Sequence, residues 1–366
     1  MSGIDHDLAA ALHREVDGLP VDPAGAVARF PERLRARRRQ RRGTAFGVVA
    51  AIGVIVAAVG LSGGGQHDAD GPPADDDRRV ATVEPRGATR IALGSTPSRV
   101  TADGDTLWVA LGTGSLARVD TATDRVTRVG DLPSIPFDVQ PAGGLLWVSL
   151  PNDNRVVAID PADGRLVHSV PTTAPGPRGL TSAGSSIWAT AGTRLLQIDA
   201  RTGETTRSVS LPGAVLPYDV SVSADAAWVT DSRAPTVTRV PLDGGAPSSL
   251  DVGGPTVGTV VSGESVWVGL KETPALLRLD PDSGAVRSRV PLPAAPLGLA
   301  VVAGDVWATS PDADRVLSFD GASGRRTRDW KVGDFPPIVA GDDTTVWVSS
   351  NLSNELVKVP LAANGP

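Results

Sequence analysis

The chemistry open to this chain is narrow. Cysteine is absent from its 366 residues, which removes disulfides, thiolate metal sites, cysteine nucleophiles and lipidated cysteine anchors together. The histidines are His6, His13, His67 and His168. Only His168 lies in the part patterned as a folded outer domain. No multi-histidine metal centre is expected, and a serine–histidine–acid triad would depend on His168 alone. No Gly-x-x-x-x-Gly-Lys phosphate loop, dinucleotide fingerprint or nucleophile elbow stands in a usable context. Carboxylates are plentiful, and a pair of them could hydrolyse a glycoside. Most of them recur at one place in a repeat (Asp120, Asp160, Asp199, Asp280, Asp320), where aspartate serves as a turn former. The expectation is no cofactor, no metal and no catalytic residue.

A second set of residues could recognise a ligand. Prolines at 97, 136, 177, 217, 255, 296 and 336 each open an apolar run. The residues that follow the first four bring Arg99, Phe137 with Asp138, Arg178, and Tyr218 with Asp219, including the only tyrosine in the chain. The last three prolines are followed by Thr256-Val257, Leu297-Gly298 and Pro337-Ile338, which carry no charge and no aromatic ring. If these runs surround one channel, the first six residues form a polar and aromatic rim, the usual character of a ligand or partner surface. Ion pairs between neighbouring strands would explain the same charges.

The elements that place them follow from one period. Tryptophans fall at 108, 147, 188, 228, 267, 307 and 347, spaced 39 to 41 residues apart, with Trp330 out of phase. Each phased tryptophan sits in a short apolar run such as Leu107–Ala110 or Val346–Ser349. A proline-led strand stands about eleven residues upstream and a strand ending in Asp or Pro about twelve downstream. A turn of the type Asp163-Gly164 or Ser283-Gly284 then leads to a fourth strand. Four short strands per forty residues form a β-propeller blade. The seventh unit lacks a fourth strand, whereas 88–94 reads as a fourth strand without its first three. The sequence therefore predicts an all-β, seven-bladed propeller over 88–366, closed by its N-terminal strand. Seven tryptophans at one repeat position read as core between blades rather than as a binding platform.

The unit Pro-x-x-Val…Gly-x-Leu-Trp-Val…Arg-Val-Asp-x-x-Thr-Gly resembles the YVTN-type propeller repeats and the virginiamycin B lyase-like propellers of bacteria. The resemblance covers about 88–366 and implies the fold more strongly than an activity. It implies an alternative function, an extracytoplasmic lyase or hydrolase. In those lyases the tryptophan strand continues into a Thr-Glu pair, and His and Glu on the propeller face carry the acid–base chemistry. Here the residues two and three beyond each tryptophan include no glutamate, from Ala110-Leu111 to Ser349-Ser350, and His168 falls on an expected outer strand.

The remaining sequence places the propeller. Residues 1–43 carry nine arginines against six acids, whereas the rest of the chain carries 26 basic and 35 acidic groups. Between Arg42 and His67 no residue is charged, and the apolar heart 44–61 can cross a thin hydrocarbon core at about 1.5 Å per residue. The expectation is a transmembrane helix over 44–64 in the cell membrane, uncleaved, because 42 residues precede the apolar run. Seven arginines between 33 and 42 set its N-terminus in the cytoplasm. That cluster has no interleaved aromatic residue, so nucleic acid is not an expected partner. Residues 65–87, with Asp75-Asp76-Asp77, read as a solvated Gly/Pro/Asp linker. Residues 1–42 carry two short amphipathic pieces around Ile4–Leu19 and Val27–Phe30, suited to the membrane surface or to a cytoplasmic regulatory partner, in the manner of short-tailed anti-sigma-type regulators. The expected whole is a membrane-anchored, extracytoplasmic, non-enzymatic module that binds an outside protein or small molecule.

Overall fold

The computed structural model describes residues 80–364. Within them lie seven four-stranded antiparallel sheets. Blade one comprises Pro97–Asp103, Thr106–Leu111, Ser115–Asp120 and Val126–Asp131, from the channel outward. Blades two to six repeat this order, with inner strands Asp138–Ala142, Leu180–Ala183, Pro217–Val222, Thr256–Ser262 and Leu299–Val302. Blade seven is composite. Val339–Gly341, Thr345–Ser350 and Glu355–Pro360 are joined on the outside by Thr89–Ala92, which pairs antiparallel with Arg90 opposite Val357 and Ala92 opposite Glu355. The N-terminal strand thus closes the ring as the sequence predicts.

The strand patterns explain the layering. Second strands such as Thr106–Leu111 and Ser265–Leu270 are buried along their whole length and are almost entirely apolar. Outer strands such as Thr205–Ser210 are mostly exposed and polar. The phased tryptophans are between 0% and 6% exposed. Each packs onto the following blade: Trp147 meets Leu180 and Ile187, Trp267 meets Val306 and Phe319, and Trp347 meets Val100 and Leu107 across the closure. Burying such rings in seven similar wedges contributes a large apolar area to inter-blade cohesion.

Turns complete the blades. Asp120, Asp199, Asp280 and Asp320 accept bonds from amides two or three residues on, including Thr123 N at 2.8 Å and Ser283 N at 2.8 Å. The hydroxyls of Thr123 and Ser323 at Asp120 and Asp320, and the amides of Thr202 and Ser283 at Asp199 and Asp280, lead the hydrogen bonds that hold the four carboxyls below the usual aspartate range. Gly164, at φ +73°, closes the same turn in blade two, and a Cβ there would lie 2.2 Å from Val129 O of blade one. Trp330, out of phase in sequence, lies in the outer strand of blade six and packs against Trp307 at 4.8 Å. Val83 forms a parallel bridge with it, an attachment the sequence did not suggest. Among the described residues no helix is long and apolar enough to cross a membrane. The expected span 44–64, the linker up to residue 79 and the cytoplasmic segment lie outside the described residues.

Candidate functional site

The six rim residues come together in two layers at the start of the inner strands. The deeper layer is ionic. Asp138 is fully buried and accepts four bonds: Arg99 Nε and Val139 N on Oδ1, at 2.9 and 2.8 Å, and Arg99 Nη2 and Leu180 N on Oδ2, both at 2.9 Å. Asp138 therefore ties its own blade to blade one through Arg99 and to blade three through Leu180. Arg99 Nη2 also donates to Asp219 Oδ1 of blade four at 3.3 Å, across the channel. Asp219 repeats the pattern, accepting from Val220 N at 3.0 Å and from Thr259 N of blade five at 3.2 Å.

Electrostatics fix the states of this layer. Burial opposes the charge on Arg99, but Asp138 and Asp219 overcome it and hold the guanidinium above its ordinary pKa. Burial pushes the Asp219 carboxyl up; Arg99 pulls it back, and the like charge of Asp138 adds to the rise. Arg99 is thus held between two carboxyl groups, one from blade two and one from blade four.

The outer layer is aromatic. Phe137 and Tyr218 meet edge to face with centroids 5.4 Å apart, over the intervening blade three. Arg178 of that blade lies over the Phe137 ring at 5.5 Å. All three are half-buried. They approach because blade three carries glycine at the deeper position: a Cβ on Gly179 would lie 2.6 Å from Asp219 Cα and 2.7 Å from Tyr218 O. Gly179 N donates to Tyr218 O at 2.9 Å.

The deeper ring position reads Arg99, Asp138, Gly179, Asp219, Gly258, Gly298 and Ile338 around the channel. Blade five differs from the sequence reading. Pro255 stands twelve residues before Trp267, not eleven as in the other blades, so the ring residues fall one place on, at Val257-Gly258 instead of Thr256-Val257, with Thr259 opposite Val268. The rim is still polar over blades one to four and apolar over five to seven.

Sequence reasoning missed the hydroxyls that hold the rim. Two residues beyond the tryptophan, Ser149, Thr230, Thr309 and Ser349 accept bonds from the ring amides of Asp138, Asp219, Gly298 and Ile338, at 2.8 to 3.1 Å. Ser149 Oγ also donates to Arg178 O at 2.6 Å and Thr309 Oγ1 to Pro337 O at 3.2 Å, each in the next blade. His168 lies in the outer strand Leu166–Pro171, stacked on Trp147 at 5.9 Å, far along the blade from the channel. Among the described residues no cluster of His, Asp and Glu is arranged to hold a metal ion.

Beneath the ionic layer the channel opens into a cavity of about 370 Å³. Its lining runs from Arg99, Asp219 and Gly298 to Ala102, Val222 and Val301, and does not include Phe137, Arg178 or Tyr218. The ionic layer therefore separates the rim from the open part of the channel.

Comparisons with known proteins agree on architecture. A family model described as outer membrane protein assembly factor BamB matches residues 73–215, which span the first three blades. No curated protein matches the chain. Among solved structures, a catalytically inactive virginiamycin B lyase from Staphylococcus aureus with quinupristin is 17% identical, with a TM-score of 0.66 over 75% of this chain and 99% of that one. A streptogramin B lyase is 18% identical, with a TM-score of 0.64 over 74% and 96%. Kuenenia stuttgartiensis hydrazine synthase is 15% identical, with a TM-score of 0.64 over 82% and 100%. Lyases and a synthase share this ring at such low identity, so the likeness establishes the fold alone. The chain is a seven-bladed β-propeller of four-stranded blades.

Proposed function

We propose that the chain is a membrane-anchored, extracytoplasmic propeller that binds a protein or small-molecule ligand on its rim without transforming it. The observation that carries this reading is the division of labour between the two layers. Arg99, Asp138 and Asp219 spend their hydrogen-bonding capacity on one another and on the amides of neighbouring blades, leaving no acid–base pair poised at the rim. Phe137, Arg178 and Tyr218 sit above them, half-buried on a rigid ring, the aromatic and arginine composition typical of contact hot spots. The loops leading into blades two, three and six, Leu132–Ile135, Thr172–Gly176 and Pro293–Ala295, carry no charge. The partial match to an assembly-factor family is consistent with protein binding. The uncharged run 44–64 behind its arginine cluster supports the anchor and its orientation.

A photo-crosslinking phenylalanine analogue at position 137, in the native host, tests the rim. The expected result is a discrete crosslinked species that is lost when Tyr218→Ala is added. Crosslinks identical to those from an analogue at the exposed outer-strand position of Leu166 would overturn the reading.

A further inference from the structure

Blade three departs from its neighbours at one hydrogen bond. In blades two and six the ring amide, a hydroxyl of the second strand and a carbonyl of the next blade form a relay. Asp138 N donates to Ser149 Oγ at 3.0 Å, which donates to Arg178 O at 2.6 Å. Gly298 N donates to Thr309 Oγ1 at 2.8 Å, which donates to Pro337 O at 3.2 Å. Blade three carries the same two residue types as blade six, Gly179 and Thr190. Yet Gly179 N donates directly to Tyr218 O at 2.9 Å, the carbonyl that the hydroxyl would serve in a relay. Thr190 Oγ1 is left buried with no hydrogen-bond partner among the described residues, on a residue only 1% exposed.

The relay remains within reach of blade three. Thr190 N donates to Gly179 O at 3.1 Å, as Thr309 N does to Gly298 O at 3.0 Å, so the two strands stand in the same register. A change of the Thr190 χ1 rotamer, with a small retreat of the Tyr218 carbonyl, brings the hydroxyl between amide and carbonyl. The two arrangements exchange one term for another. The direct bond draws the blades together: a Cβ on Gly179 would lie 2.6 Å from Asp219 Cα, whereas one on Gly298 would lie 3.1 Å from Ile338 Cα. It leaves a buried hydroxyl unsatisfied, which is unfavourable. The relay satisfies that hydroxyl and needs the wider gap.

We propose that Gly179, Thr190 and Tyr218 form a two-state switch in the rim, in which the Gly179 amide changes acceptor from Tyr218 O to Thr190 Oγ1. Tyr218 O is the contested acceptor, and the ring of the same residue meets Phe137 at 5.4 Å. The switch therefore couples the packing of blades three and four to the aromatic edge of the rim. Whatever displaces Tyr218 withdraws its carbonyl, and the amide then passes to the hydroxyl instead of being stranded. That exchange lowers the cost of opening the rim at this point. Blade six, with the same glycine and threonine, has no aromatic residue above it, only Leu297 and Pro337. The inference goes beyond the rim-binding function and holds whether or not the rim takes a ligand, so either can fail alone.

Tyr218 is the only tyrosine, so fluorotyrosine labels it alone in the full-length chain, read by fluorine NMR in detergent. The expected result is two lines that exchange on warming, or one line broadened by that exchange. Thr190→Val deletes the hydroxyl at nearly the same shape. It should leave one narrow line, with a melting midpoint no lower than that of the parent chain. Gly179→Ala forbids the close approach and should make the minor line the major one. Thr309→Val breaks a relay that is already formed, so it should lower the midpoint and leave the fluorine spectrum unchanged. The proposal is overturned by a single narrow line in the parent chain at every temperature, or by two lines that persist in Thr190→Val, as slow flipping of the ring would give. It is also overturned if Thr190→Val lowers the midpoint as far as Thr309→Val, because the hydroxyl then already has a partner.

Discussion

Arg99 and Asp219 lie 120 residues apart in blades one and four, yet their side chains meet across the channel at 3.3 Å. The same guanidinium grips Asp138 of blade two with two parallel bonds. One side chain thus fixes the relative positions of three blades, and its removal strands a carboxylate that has no exposed surface.

Arg99→Ala should therefore cost about 3–5 kcal/mol, the usual penalty for leaving a buried charge without its partner. Arg99→Lys should recover only part, because a single ammonium cannot reproduce the bidentate grip. Arg178→Ala should cost much less than Arg99→Ala. Urea unfolding monitored by tryptophan fluorescence checks the order, and equal stabilities for the Arg99 and Arg178 variants would contradict it.

Acid should act on two sets of carboxyls in opposite directions. Asp219 keeps its proton to a higher pH in the folded chain than in the unfolded one. The folded state therefore binds more protons in that window, and stability falls as pH rises through it from about 3.9, the unfolded value. The turn aspartates Asp120, Asp199, Asp280 and Asp320 are depressed, so their contribution is present above about 3.9 and is lost as pH falls below it. Asp280→Asn should flatten the acid limb of a stability–pH curve, and Asp219→Asn should remove the decline above it. Curves that do not change shape would refute the assignment.

Gly179 has an ordinary negative-φ backbone, so its requirement for glycine is steric. Gly179→Ala should cost about 1–3 kcal/mol as an overpacking substitution. It should also move Tyr218, the only tyrosine, off the Phe137 edge, which near-UV circular dichroism would register. An unchanged spectrum and midpoint would show that blade three yields at no cost.

Trp267→Ala should cost about 3–5 kcal/mol, since a fully buried ring between blades five and six is deleted. Trp330→Ala should reach a comparable figure despite its outer strand, because Trp330 is 2% exposed. Chemical denaturation of both variants tests this, and a loss under 1 kcal/mol at either site would argue against the inter-blade packing.

The anchor has a direct test. Protease added to spheroplasts should digest the propeller and leave a small N-terminal fragment with its span. Protection of the propeller would reverse the proposed orientation.

The blade count was legible because each phased tryptophan faces the next blade in the same way, so one contact imposes one period. The same regularity exposed the closing strand. The assembly of Arg99, Phe137, Asp138, Arg178, Tyr218 and Asp219 followed from their repeat positions. The reach of Arg99 to blade four did not, because it depends on channel width, which no single repeat encodes. The shift to Gly258 also had a signal: Pro255 precedes Trp267 by twelve residues, where the other six prolines precede their tryptophans by eleven. The rim hydroxyls left a signal that could have been used: Ser or Thr stands two residues beyond five of the seven tryptophans, at 149, 190, 230, 309 and 349. Trp330 is out of phase because it belongs to the outer strand of blade six, where it packs on Trp307.

The strand Thr89–Ala92 is the first of the ring to be synthesised, and Glu355–Pro360, onto which it zips, is the last. Six blades can form in the order of translation, but this first strand must wait, unpaired, for the rest of the chain to arrive. Completion therefore brings together residues about 265 positions apart, such as Arg90 and Glu355, whose side chains then bond at 2.9 Å. Closing so long a loop is entropically late and kinetically slow. Until it closes, blade seven lacks its outer strand and leaves Glu355–Pro360 as a bare edge able to recruit a strand from another molecule. Folding yield, more than final stability, should therefore be the property most sensitive to changes in residues 89–92.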